Sequence, residues 1–411
     1  MSSGWVTSEA PTRAELNSCV QCGLCLPVCP TFRITGDEGA SPRGRLSAMS
    51  AVATGGAAVD EVFEDMMSFC LQCRACEAAC PSLVPFARAM EGARAELASQ
   101  RPTPGRRVRA RLLGPGGLGS ARSMRLATLL AAVGQRIRAP RWIPGRLGAS
   151  LRGLRPLSVR PASARGLVAE PDGPEIGTAA LLAGCVMDPW FPAVHQASIG
   201  VLRKAGYRVE VPADQTCCGA LAAHDGAAVA ARTMAGANAA AFSGYDLIVT
   251  DSAGCGAHLK DYRHWVPDGT DWRDRVRDIT EVVAGAIARG RLPTVPPTGR
   301  SVAMQDPCHL RHAQRIIDQP REVVRAAGYE PVEIDPLAMC CGAAGVYSLL
   351  RPDTSVALGR RKAEQVATTG AALVASANPG CEMQLRSHLG AGYRVAHPVE
   401  LYAEAIGAVS Y

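Results

Sequence analysis

The sequence predicts a multidomain α+β chain: a small, mostly helical N-terminal domain, then two α/β half-domains related by pseudo-twofold symmetry. Three observations predict it. A cysteine run, CVQCGLCLPVCP at 19–30, recurs with the same gaps at 70–81 as CLQCRACEAACP. A pattern of apolar strands and Ala-rich helices that starts near residue 178 returns about 123 residues later with its cysteines in the same places. Between these blocks lies a stretch rich in Arg, Pro and Gly and devoid of acidic residues. At 411 residues, and roughly 150 per domain, two or three domains are expected, each able to bury its own core.

The bulk composition is that of a globular protein, with 47% hydrophobic and 20% charged residues and only 5% aromatic. The start, MSSGWVTSEAPTRAEL, has no basic segment followed by an apolar one, so no secretory signal is expected. No apolar run approaches the roughly 18 residues that span a bilayer. The expected location is the cytoplasm, with room for a peripheral contact on the inner face of the cell membrane. Sixteen cysteines in such a chain argue for metal rather than disulfides, because the cytosol keeps thiols reduced.

Residues 1–98 form the first expected domain. The two cysteine runs are joined by 40 residues in which GRLSAMSAV and VFEDMMSF read as helical, and VPFARAMEGARAELASQ follows as a further helix. Residues 99–174 read as a basic, partly helical connector with one amphipathic helix at 120–138. Residues 97–169 hold fifteen Arg, no Lys and no Asp or Glu, so the rest of a chain of net charge +7 sums to about −8. Such a block suits an anionic membrane, an acidic partner or nucleic acid. Nucleic acid is not expected, because Trp142 is the block's single aromatic residue and no binding motif is present.

Residues 175–290 and 291–411 are the two half-domains. AALLAGC ends at Cys185 and SVAMQDPC at Cys308; KAGYRVEVPADQTCCGA and RAAGYEPVEIDPLAMCCGA place Cys217 and Cys218 123 residues before Cys340 and Cys341. YDLIVTDSAGC and AALVASANPGC end at Cys255 and Cys381, now 126 apart, so one loop has grown by three. Each unit reads strand, helix, strand, helix, strand. The cysteines fall where strands end and helices begin, the edge of an open sheet where sites collect.

C-x2-C-x2-C-x3-C-P is the bacterial ferredoxin run, whose spacing wraps a short loop about a 4Fe-4S cube. Three thiolates hold one cluster and the fourth completes the other. The expected pairing is therefore Cys19, Cys22, Cys25 and Cys80 on one cluster, with Cys70, Cys73, Cys76 and Cys29 on the second. Zinc also takes four thiolates at CxxC spacing, but it rarely needs the third and fourth cysteines that both runs carry. The other eight, Cys185, Cys217, Cys218, Cys255, Cys308, Cys340, Cys341 and Cys381, are four per unit and suit a soft metal or cluster.

This second pattern is that of the cysteine-rich CCG domain, and the chain over nearly its full length resembles the iron-sulfur subunits of glycolate oxidase. Two ferredoxin runs, a basic connector and two CCG units occur there in this order, and SAGCGAHLKDY, DPCHLRHAQ and CCGAAGVYSLLRP carry the likeness. Related architectures are the iron-sulfur subunits of D-lactate and anaerobic glycerol-3-phosphate dehydrogenases and, more distantly, heterodisulfide reductase. The last ends each CCG unit in CxxC and holds a noncubane cluster on five cysteines. Here Cys255 is followed by Gly-Ala-His258 and Cys381 by Glu-Met-Gln384, so the fifth cysteine is absent. Four ligands suffice for a cubane, and His258 is either a substitute ligand or an ordinary histidine. His309 and His312, close after Cys308, either relay protons or cap a helix.

No dinucleotide glycine fingerprint follows a predicted strand, and GPGGLG at 114–119 sits among arginines. The resemblance implies two 4Fe-4S clusters in the N-terminal domain, further iron-sulfur clusters in the CCG units and FAD on a partner subunit alone. The partner would oxidise glycolate or a similar 2-hydroxy acid, and this chain would pass the electrons towards a quinone. Two other classes stay open from the residues: a thiol or disulfide reductase, and a zinc-stabilised scaffold without redox work.

Overall fold

The computed structural model describes residues 4–139, 142, 143, 145–266 and 272–408. Pro140, Arg141 and Pro144 of the arginine-rich block lie outside the described residues. In the N-terminal domain the helices Pro42–Ala53, Glu61–Ser68 and Phe86–Gln100 enclose Leu46, Met49, Phe63, Met67, Met90 and Ala93. Local chemistry starts the first two. Ser41 accepts from Gly44 N ahead of Pro42, and Asp60 accepts from Phe63 N, each satisfying an orphan amide of the first turn.

The connector is more ordered than its composition suggests. Beside the expected helix, observed as Ala121–Arg136, it folds Pro104–Leu113 and Gly145–Arg152 into helices, the first begun by Thr103 and Pro104. It is also bound down along its length. Arg109 pairs with Asp225 at 3.1 Å, Trp190 Nε1 donates to Thr128 Oγ1 at 2.9 Å, and Arg155 reaches both Glu382 at 2.5 Å and Glu400 at 2.6 Å.

Each C-terminal unit is built on a parallel sheet. The first contains β1 (Val168–Ala169), β2 (Gly177–Leu181), β3 (Tyr207–Glu210), β4 (Ile248–Thr250) and β5 (Val276–Asp278), in the order β1-β3-β2-β4-β5, with only β1 antiparallel. The second contains β6 (Ser301–Gln305), β7 (Glu330–Glu333), β8 (Leu373–Ser376) and β9 (Arg394–Ala396), in the order β7-β6-β8-β9. The three strands expected per unit are present; β5 and β9 add one to each, and β1 makes the first sheet five-stranded. Both faces of a parallel sheet must be covered, and the continuous apolar runs in β2, β4, β6 and β8 follow from that.

The inner faces are covered reciprocally. The helix after the first unit's leading strand, Pro192–Lys204, packs on Pro398–Ala405, the last helix of the second unit; Asp318–Ala326 packs on Ile279–Ala288, the last helix of the first. Leu181, Ile199, Val249, Val283, Val323 and Tyr402 therefore share one core across both units. The two exchanged helices even begin alike. Asp278 with Glu281 and His397 with Glu400 form capping boxes at matching positions.

Arg155 binds connector to core through two carboxylates that are almost wholly buried. Removing it leaves Glu382 and Glu400 facing each other without a cation, so Arg155→Ala should lower unfolding stability by about 3 kcal/mol. Denaturant titration under exclusion of oxygen measures this, and Arg155→Lys should recover part of the loss.

Candidate metal centres

The two N-terminal runs fold as duplicates. In each, the third and fifth residues take left-handed backbone conformations: Gln21 (φ 57°) and Gly23 (φ 82°) in the first, Gln72 (φ 53°) and Arg74 (φ 62°) in the second. Three of the four are not glycine, and each of these costs roughly 1 kcal/mol or more. Such paired strain marks a loop held to a function. Cys19, Cys22, Cys25 and Cys80 line one cavity, and Cys29, Cys70, Cys73 and Cys76 line its neighbour. Pro42, Cys76 and Phe86 border both, so a single wall separates them.

The surroundings suit a polynuclear anion. Arg45 is buried and Arg94 half-buried, yet among the described residues they meet oxygens of carbonyls and a hydroxyl rather than carboxylates. Arg45 donates to Met66 O at 2.8 Å and to Thr31 Oγ1, and Arg94 donates to the carbonyls of Met67, Cys70 and His224 at 2.6–2.9 Å. Cations withdrawn from water require a counter-charge, and a cluster with four thiolate ligands is net negative. Gln72 N donates to Cys70 Sγ at 3.4 Å, the kind of amide-to-sulfur contact that sets a cluster's potential. Burial pushes the Cys73 and Cys76 thiols well up, so only metal binding would hold them as thiolates here. No three His, Cys, Asp or Glu side chains among the described residues close on a single-ion point; the sulfurs ring a space instead.

In the C-terminal units the strand order decides the site. The chain runs from β2 to β3 on one side and returns to β4 on the other, opening a crevice at the switch point. Cys185 follows β2 and Cys255 follows β4, with Cys217 and Cys218 after β3; Cys308, Cys381 and the pair Cys340 and Cys341 repeat this around β6, β8 and β7. Glycine after each cysteine pair is obligatory. Gly219 (φ +91°) and Gly342 (φ +86°) are left-handed, and a Cβ on Gly342 would lie 2.7 Å from Ser355 O. Within each set the thiols lie close enough to shift one another's acidity. Cys185 and Cys218 draw Cys217 below its ordinary value; Cys340 does the same to Cys308 and, with Cys381, to Cys341.

The sets are also joined to one another. Cys73 packs with Cys340, Met339 and Tyr347, with Cys308 against the same cluster. Asn378 touches both units, accepting from Gly254 N at 3.1 Å beside Cys255 and donating to Cys381 Sγ at 3.5 Å. Arg74, braced by Glu77 of its own run at 2.6 Å, ties the second run to the first unit through Asp261 at 2.5 Å.

Where these elements meet, a cavity of about 490 Å³ is lined by His224, His258, His309, His312, Arg74 and Arg88, among others. His309 Nδ1 lies 3.5 Å from Cys308 Sγ, and His312 Nε2 lies 3.2 Å from Ala338 O. Burial holds the His224 and His312 imidazoles below their ordinary pKa. Arg45, Arg94 and Asn378 are not evident from sequence, since nothing in their local pattern distinguishes them. The alignment of SAGC with NPGC is the one signal that points at Asn378.

A 4Fe-4S dicluster domain model matches residues 15–84, and a cysteine-rich domain model, CCG, matches 179–260 and 302–386. The chain is 32% identical to the probable glycolate oxidase iron-sulfur subunit of Bacillus subtilis over 97% of its own length and 96% of the relative's. It is 28% identical to the glycolate oxidase iron-sulfur subunit of Escherichia coli, over 95% and 94%. To a fumarate reductase (CoM/CoB) subunit of Methanothermobacter marburgensis it is 33% identical over 54% of this chain and 44% of that one. With paired cluster loops at one end and duplicated CCG crevices at the other, the chain belongs to the family of glycolate oxidase iron-sulfur subunits.

Proposed function

We propose that the chain is the electron-transfer subunit of a dehydrogenase complex that oxidises glycolate or a similar small 2-hydroxy acid. A partner's FAD takes two electrons together as hydride while the alcohol becomes the 2-oxo acid; the clusters carry them onward singly. Cys19, Cys22, Cys25 and Cys80 would ligate one N-terminal cluster, with Cys70, Cys73, Cys76 and Cys29 on the other. The eight CCG cysteines would ligate further centres. The observation that carries the reading is the buried cluster in which Cys73 of the second run and Cys340 of the second CCG unit both lie, which offers electrons a short passage from one to the other. A quinone-type acceptor is the proposed sink, and the cavity lined by His224, His309 and His312 offers it a polar seat between the runs and both CCG units. A thiol or disulfide reductase is the weaker reading. Gln384 stands where the fifth cysteine would be and donates to Ser355 O at 2.9 Å.

The connector supplies the proposed membrane contact. On the helix Ala121–Arg136, Met124, Thr128 and Ala132 face the protein, while Leu126, Leu129, Leu130, Val133 and the following Ile137 are exposed on the opposite side. Arg122, Arg125 and Arg136 flank this stripe by helical spacing, and Trp142 beyond it is 84% exposed. An apolar face edged by arginines with a nearby Trp is the pattern of a helix lying in an anionic lipid surface. Among the described residues no helix is long and apolar enough to cross a membrane.

Three outcomes are expected. The chain alone should reduce no dye with glycolate or D-lactate, and adding its flavoprotein should restore turnover; turnover by the isolated chain would overturn the subunit reading. Cys29→Ser should disturb the cluster built by the second run rather than its own. EPR of dithionite-reduced protein would show this, with dye reduction by the complex falling about 10-fold or more. Changing Arg107, Arg111, Arg122, Arg125, Arg136 and Arg138 together to Gln should weaken sedimentation with anionic liposomes by more than about 100-fold, at about 1 kcal/mol per basic residue. Loss of flavoprotein binding instead would assign the face to that partner.

A further inference from the structure

His258 sits on the helix Ala253–Lys260 three residues after Cys255, so both side chains project from one face of that helix. Its Nε2 is buried and has no hydrogen-bond partner among the described residues. The atom is aimed at the turn that carries the cysteine pair, where a Cβ built on Gly219 would lie 3.5 Å from it. Buried ring nitrogens are ordinarily hydrogen-bonded, as in His195, with Nδ1 2.6 Å from Asp251 and Nε2 3.0 Å from Ala183 O. The His258 ring is also fixed in place, edge-on to Tyr262 at 5.6 Å and against Trp265 at 5.7 Å. Tyr262 in turn holds the cysteine turn, donating to Cys218 O at 2.7 Å, and Asn238 Nδ2 donates to Cys217 O at 3.0 Å. Ring and thiols thus share one rigid frame.

The second unit is built differently. The corresponding position on the helix Pro379–His388 is Gln384, three residues after Cys381, and its amide is turned onto the Ser355 carbonyl at 2.9 Å. The pseudo-symmetry that relates the four cysteines of each set stops at this residue.

We infer that His258 Nε2 is the fifth ligand of the metal centre held by Cys185, Cys217, Cys218 and Cys255, and that the centre on Cys308, Cys340, Cys341 and Cys381 has no imidazole counterpart from this helix position. The inference rests on the reading that the first set holds iron. Replacing thiolate by neutral imidazole removes negative charge from a cluster and raises its potential.

The test uses the full chain, purified without oxygen and carrying 15N-labelled histidine. Pulsed EPR should show a strongly coupled histidine nitrogen on one reduced centre. In His258→Cys the coupling should vanish with iron content kept, and that centre's midpoint potential should fall. Iron present with no strong histidine coupling in the wild-type protein, or coupling that survives His258→Cys, overturns the inference; the wild-type measurement needs no variant to fold. If Cys217→Ser changes neither iron content nor any EPR signal, the first set holds no iron, and the underlying reading fails with the inference.

Discussion

The arrangement depends on one contact, the second cysteine run pressed against the second CCG unit. Leu71, Cys73 and Ala75 enter an apolar cluster with Met339, Cys340, Tyr347 and Leu358. Electron transfer falls steeply with distance, so centres on separate modules are useful only if the modules pack closely. The polar grip around this patch serves the same end. Arg94 holds the Cys70 carbonyl on one side and the His224 carbonyl on the other, and Gln72 Nε2 reaches that same His224 oxygen. Arg74 accepts a left-handed backbone and reaches Glu77 on its own run and Asp261 on the first unit. Its conformational cost is thereby offset by two partly buried ion pairs.

Burying thiols in this way creates an electrostatic problem that the sequence answers with cations. A reduced cluster in an apolar wall repels further electrons unless positive charge lies nearby. Arg45 and Arg94 supply it beside the N-terminal runs, and Lys362, buried and 2.7 Å from Asp335, helps to lower Cys341 in the second unit. The connector resolves a different tension. Two half-domains whose last helices pack on each other's cores must be held in register, and Arg155 helps by pairing Glu382 and Glu400 of the second unit while stacking over the Phe191 ring of the first at 5.1 Å.

Much of this was legible in the sequence because the cluster chemistry is local. Four thiols within eleven residues specify a loop, and a 123-residue repeat specifies two copies of a unit whatever their contacts. What was not legible is what depends on partners. Gln21, Gln72 and Arg74 carry no mark of a left-handed backbone, a conformation sequence rules reserve for glycine and asparagine. The exchange of final helices is invisible because an amphipathic helix declares an apolar face without naming what covers it. The short strands Val276–Asp278 and Arg394–Ala396 mix charged and apolar residues over three positions, too few for a periodic signal. The connector helix Pro104–Leu113 was masked by its arginines, although Thr103 and Pro104 form an ordinary start.

Duplication gives two equal sites; function in an electron relay requires them to differ. Equal potentials would let an electron return as readily as it advances, whereas a step in potential gives it a direction. The chain breaks its own symmetry in the few places that would produce such a step. His258 faces the cysteine turn in one unit while Gln384 is bound to backbone in the other, and His309 approaches Cys308 where Val186 follows Cys185. Asn378 crosses between the two at the same level, touching Cys381 and the helix that carries Cys255. The fold thus keeps the distances of a symmetric pair while the side chains nearest the sulfurs set the two halves apart.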